Sequence, residues 1–103
     1  MINQLSLRIK KVYFDSIIEG DKKVEYRQAS PYYQKRFSRS YKVVKIYYNT
    51  AYAIIEIKDI RLIPNFREKA DRPDFLATDT IYAISLGKVH WIENPYKKRG
   101  GIS

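Results

Sequence analysis

The sequence predicts an α+β domain: a small, curved, mostly antiparallel sheet closing toward a β-barrel, with helices flanking it. Three observations lead there. Two short stretches of alternating apolar and polar residues enclose an early helical stretch. A long β-branched and aromatic stretch from Val43 to Ile63 is interrupted only at Asn49-Thr50-Ala51. Further strand-forming runs, Ile81 to Leu86 and Val89 to Ile92, follow a polar segment.

Taken in order, Leu5 to Lys10 alternates with period two, as a half-buried strand does. In the next stretch Tyr13, Phe14, Ile17 and Ile18 fall on one helical face, and Gly20 stands where a left-handed cap ends a helix. Lys22 to Arg27 returns to alternation, with Val24 and Tyr26 expected toward the core and Lys23, Glu25 and Arg27 on the other face. Ser30-Pro31 reads as a cap followed by proline at the first helical position, and Tyr32 to Phe37 as a short helix or basic loop. Val43 to Tyr48 and Tyr52 to Ile63 read as the arms of a hairpin. In the second arm the apolar phase slips from Ile55 and Ile57 to Ile60 and Leu62, which predicts a bulge near Lys58-Asp59. Pro64 to Asp79 reads as a loop with a short helix around Asp74-Phe75-Leu76. Two separate strands, Ile81 to Leu86 and Val89 to Ile92, are expected after it, then a flexible basic tail near 97–103. No repeat or interior linker divides residues 1–103, so a single domain is expected.

The totals narrow the function classes. The 103 residues contain no cysteine and one histidine, which excludes a disulfide framework and a thiolate metal site and leaves no expected metal or cofactor. No run of about 18 apolar residues exists, so no membrane span is expected. Met1-Ile2-Asn3-Gln4 lacks a signal-peptide pattern, and a cytoplasmic protein is expected. Twenty Lys and Arg against eleven Asp and Glu give a formal charge of +9. That field attracts polyanions.

Its distribution is more specific. Between Glu25 and Glu56 the chain has no acidic residue, yet holds Arg27, Lys35, Arg36, Arg39, Lys42 and Lys45. Tyr26, Tyr32, Tyr33, Tyr41, Tyr47, Tyr48 and Tyr52 lie in the same interval. Cations that neutralise phosphates and aromatic faces that stack bases are what single-stranded nucleic acid requires. Some of these tyrosines belong to the core, since strands favour aromatics.

The segment from Tyr13 to Arg27 resembles the signature of the ASCH family in the PUA-like superfamily. That signature is a helix ending in glycine, a lysine two positions on, then Glu-x-Arg in the strand; Gly20, Lys22, Glu25 and Arg27 match it in register. Tyr82 to Gly87 resembles the last core strand of such domains. The resemblance implies a small β-barrel with flanking helices, a ligand cleft beside the motif, and RNA or a modified nucleoside as ligand. Some members are hydrolases, among them a small amidohydrolase that removes an acyl group from a cytidine with the motif lysine. A threonine stands three residues after that lysine in the amidohydrolase; here Glu25 takes its place.

The candidate site follows. On a strand, Glu25 and Arg27 share a face about 7 Å apart, close enough for a carboxylate–guanidinium pair that either braces the fold or presents an edge to a base. Lys22 and Lys23 stand at the mouth of that strand, suited to phosphate. Arg8 and Lys10 flank the cleft from the first strand, Tyr32, Tyr33 and Arg36 overhang it, and Tyr47 and Asn49 end the hairpin beside it. If the protein is an enzyme, Lys22 and Glu25 are the catalytic candidates. Trp91 is expected in the core, and His90 as a satisfied polar residue. The reading favoured is an RNA- or nucleotide-binding module. Two alternatives stay open: a hydrolase of a modified nucleoside or RNA (a nucleoside amidohydrolase or ribonuclease), and a basic adaptor or inhibitor that grips an acidic protein.

Overall fold

A computed structural model describes residues 4–65 and 80–95. Its elements in chain order are β1 (Gln4–Arg8), α1 (Lys11–Ile18), β2 (Val24–Gln28), α2 (Pro31–Arg36), β3 (Val43–Tyr48), β4 (Ala51–Pro64) and β5 (Thr80–Glu93). The strands form one sheet in the order β1-β3-β4-β5-β2, curled into a half-barrel. Three pairings are antiparallel as expected, and β1 runs parallel to β3. The curl follows from how the two long strands share partners. β3 pairs with Ala51–Glu56 of β4, whereas β2 pairs with Ile81–Ser85 of β5. The strands β1 and β2, adjacent to α1 in sequence, therefore end up at opposite edges of the sheet.

Local chemistry sets each boundary. Leu5 and Leu7 turn inward from β1 while their neighbours stay exposed. Phe14 and Ile17 bury one face of α1, with Tyr13 and Ile18 packed beside them. The helix stops at Gly20, whose φ of +88° is left-handed. There the amide of Asp21 donates to the carbonyl of Ser16 (2.9 Å) and that of Gly20 to Ile17 (3.1 Å), the paired bonds of a Schellman ending. Ser30 caps α2 by accepting from the Tyr33 amide, and Pro31 fills the first turn. The β3–β4 turn is tighter than expected: Ala51 already pairs with Tyr48, so Asn49 and Thr50 make the connection, with Asn49 at φ +49°.

Four expectations need correction. On β2 it is Glu25 that is buried, while Val24 and Tyr26 are half-buried and outside the core cluster. The reason is that Glu25 enters the interior already paired with cations. The two strands expected at the end are one, β5, because Gly87 lies within the ladder rather than breaking it. A Cβ at Gly87 would collide with the Glu56 carboxylate. The expected bulge is present, with Ile57 facing Leu86 and Asp59 facing Ser85, so that Lys58 has no opposite residue. Beyond it Ile60 packs against the core, but Leu62 is 57% exposed. Trp91 is likewise out of the core, 56% exposed on the distal half of β5 where β2 no longer covers it. The helix expected around 74–76 and the tail from 97 lie outside the described residues.

The core itself joins Leu5, Leu7, Phe14, Ile17, Val44, Ile46, Ala53, Ile55, Ile84 and Leu86. Its open side, between β1 and β2, is tied by arginines. Arg27 on β2 donates from Nη2 to the Arg8 carbonyl of β1 (2.7 Å), and Arg36 on α2 donates from Nη2 to the Ser6 carbonyl (2.8 Å).

The Gly20 cap makes a direct prediction. Open space surrounds the position of a Cβ there, so Gly20→Ala meets only backbone strain, about 1–2 kcal/mol. Urea unfolding should show that loss, and Gly20→Asn should recover most of it because asparagine tolerates the left-handed region.

Candidate functional site

Glu25 is the centre of the motif strand. Its side chain is 4% exposed, and a carboxylate so far from water needs compensating charge. Arg27, two residues on and on the same face, supplies it: Nε donates to Oε2 at 3.0 Å and Nη2 lies 2.9 Å from the same oxygen. Lys22 approaches the other oxygen, Oε1, at 3.4 Å. Oε1 is buried without a hydrogen bond, so its compensation is coulombic.

Lys22 is closely surrounded. It donates to the Val24 carbonyl at 2.6 Å and sits 5.4 and 5.3 Å from the ring centres of Tyr13 and Tyr26.

Arg27 reaches further. Nη1 donates to the Tyr33 hydroxyl at 2.8 Å, and the guanidinium lies 5.7 Å from the Tyr33 ring. Tyr33 in turn stacks on Phe37, which meets Tyr82 edge-on. A chain of contacts thus runs from buried Glu25 through Arg27 to the aromatic face of α2.

Arg27 and Tyr33 open onto a cavity of about 650 Å³, also lined by Arg8, Ile9, Lys10, Lys11, Tyr48 and Asn49. Four of these residues are cationic, and none is acidic. Lys11 is bonded at 2.7 Å to Asp15 one turn along α1, and that hydrogen bond, with the carboxylate charge, raises its pKa above the usual lysine value. Among the described residues no group of three or more His, Cys, Asp or Glu is placed to hold a metal.

Of the residues singled out by sequence, Arg8, Lys10, Arg27, Tyr33 and Asn49 come together on this wall. Lys22 and Lys23 line a second cavity, of about 330 Å³, at the other end of α1. Glu25 lines neither. Tyr32 is 61% exposed and pairs with Arg36 across one helical turn, outside both cavities. Tyr47 takes the sheet face opposite to Tyr48 and reaches neither cavity. Lys11 and Tyr48 were missed. The Val44, Ile46, Tyr48 alternation carries the signal for Tyr48, which meets Phe14 edge-on at 5.0 Å. For Lys11 only its position at the first turn of α1 was available.

Comparison with known proteins bears on the family and the fold. The model of the ASCH domain matches residues 7–97. No curated protein matches the sequence. The fold is similar to the crystal structure of a mutant ZmASCH protein from Zymomonas mobilis. The TM-score is 0.65 at 16% identity, covering 87% of this chain and 70% of that one. At that identity the likeness concerns the fold.

Removing Glu25 would leave Arg27 and Lys22 in a poorly solvated site without their counter-charge. Breaking a buried pair from one side typically costs about 3–5 kcal/mol. Glu25→Ala should therefore lower stability in urea unfolding by an amount in that range. A change within about 0.5 kcal/mol, as at a surface position, would show that the pair is not a brace.

Proposed function

The chain belongs to the ASCH domain family, and on that premise we propose that it is an RNA- or nucleotide-binding module whose ligand enters the cavity beside Arg27. The observation that carries the reading is the acid-free wall of Arg8, Lys10, Lys11 and Arg27 around Tyr33, Tyr48 and Asn49. Cations there neutralise phosphate, Tyr33 gives the wall an aromatic surface, and the Asn49 amide has both a donor and an acceptor for a base edge. An acidic protein would answer to the charge but has no need of the concave wall with its aromatic residues.

In this reading Glu25 does not touch the ligand. It is a positioning residue that fixes the Arg27 guanidinium, as a second layer of contacts fixes a binding group in any preorganised site. Arg27, Arg8, Lys10 and Asn49 make the contacts. Lys22 and Lys23 act from the neighbouring cavity.

Hydrolysis is the second reading, and the contacts of Lys22 weigh against its amidohydrolase form. A lysine attacks as the free amine, whereas Lys22 lies against a carboxylate, a carbonyl and two aromatic rings. Acylated cytidine should accordingly not be turned over by the wild type. Robust deacylation that Lys22→Ala abolishes would replace the binding reading with the catalytic one.

Binding is tested by titrating a single-stranded RNA against salt. Neutralising at least two phosphates should give a log–log slope steeper than about −1.4, from roughly −0.7 per phosphate. A flat line, or no binding at low salt, contradicts the proposal.

A further inference from the structure

β4 and β5 do not pair evenly where they pass the end of α1. Ile55 faces Val89 and Ile57 faces Leu86, so the single residue Glu56 is opposed by Gly87 and Lys88 together. One step on, Lys58 is the residue of β4 left without an opposite. Bulges therefore lie on both facing strands, and a bulge bends its strand and re-aims a side chain. Lys58 and Lys88, the two lysines at these irregularities, both line the cavity of about 330 Å³. Lys22 and Lys23, just past the Gly20 cap, line it as well.

Four lysines converge there, with Glu19 the one acid among the described residues of the wall and an apolar lining that includes Ile17, Ile55 and Leu86. The C-terminal end of α1 carries about half a negative charge, too little to balance the group. Lys22 is accounted for by Glu25. Glu56, which accepts from the Lys88 amide at 3.2 Å, does not line the cavity. Positive charge gathered in a concave site focuses the field on an anion.

We infer that this cavity holds a backbone phosphate of the same single strand whose base occupies the larger cavity, so that the protein reads an oligonucleotide rather than a mononucleotide. The inference rests on the nucleic-acid reading above. The two cavities lie at the two ends of α1: Lys11 lines the larger, Ile17 and Ile18 the smaller. Lys11 and Ile18, seven residues apart, fall on one side of the helix, and the eight residues of α1 span about 12 Å at 1.5 Å each. A stacked strand advances about 3.4 Å per phosphate, so the ligand covers roughly three to four nucleotide steps. The bulges give the β4–β5 pair its function here: they direct two lysines toward a strand that passes along α1.

The test compares wild type with the Lys58→Gln/Lys88→Gln double variant on single-stranded oligoribonucleotides of increasing length, starting from a nucleoside monophosphate. Both lysines are exposed, so thermal melts of the two proteins should coincide. Wild type should gain affinity steeply as the strand reaches about four to five nucleotides, the number joined by three to four steps along the helix span. The variant should lose that gain, on the order of tenfold, with a salt slope shallower by about 0.7 for the one phosphate no longer neutralised. Its affinity for the monophosphate should be unchanged. If wild type binds the monophosphate and length adds nothing, this inference falls alone; if it binds no nucleotide of any length, the function proposed above falls with it. A nucleoside triphosphate that outbinds its monophosphate through Lys58 and Lys88 would assign the cavity to a terminal phosphate chain and overturn the strand path. Equal weakening of monophosphate and long strands in the variant would overturn it too.

Discussion

A five-stranded sheet that curls without closing leaves two edges, and in this protein the guanidinium of Arg27 spans them. It leaves β2, donates to a carbonyl of β1, and is held in place by the carboxylate of Glu25 behind it. Parallel pairing to β3 satisfies one side of β1 only; Arg27 and Arg36 supply donors to the carbonyls on the other. A delocalised, planar cation suits that task better than a lysine would, because it can serve a carboxylate, a hydroxyl and a carbonyl in fixed directions at once.

The same contact shapes the cavity. Because Arg27 also donates to Tyr33, closing the half-barrel brings α2 and its aromatic face over the end of β1. Arg8 and Lys10 then line one cavity with Tyr48 and Asn49 at the turn of the hairpin, and its described residues include cations but no acid. The ion pair that braces the open side of the sheet therefore also fixes an arginine that lines the cavity. Buried ion pairs are weak sources of stability compared with apolar packing, and retaining one at the centre of a small domain fits a role in orienting the arginine.

Much of this was legible in the sequence, for identifiable reasons. Gly20 and Ser30-Pro31 mark helix ends through backbone chemistry that acts within a few residues, and the hairpin at Asn49 is equally local. Alternation located the strands but not always their inward face. On β2 the apolar pair, Val24 and Tyr26, is expected inside; Glu25 alone is buried instead, since its partners, Lys22 and Arg27, travel with it. Gly87 reads as a break because glycine weakens strands, whereas its function is to let the Glu56 side chain approach the backbone. The parallel β1–β3 pairing, which joins residues far apart in the chain, has no short-range signal. Arg8, Lys10, Arg27, Tyr33 and Asn49 are each candidates from the sequence, but their meeting around one cavity depends on that long-range topology. Tyr48, not Tyr47, follows the inward phase of Val44 and Ile46, and it is Tyr48 that reaches the cavity.

The chain contains a single tryptophan, Trp91, on the exposed far half of β5. Its indole and the Arg27 side chain can be followed together by nitrogen-15 NMR while a short single-stranded RNA is added. The account predicts that the Arg27 Nε–H and the Asn49 side-chain amide shift in proportion to bound ligand while the Trp91 indole stays still. Movement of the indole with Arg27 and Asn49 unperturbed would place the ligand on the outer surface of the sheet and contradict the account.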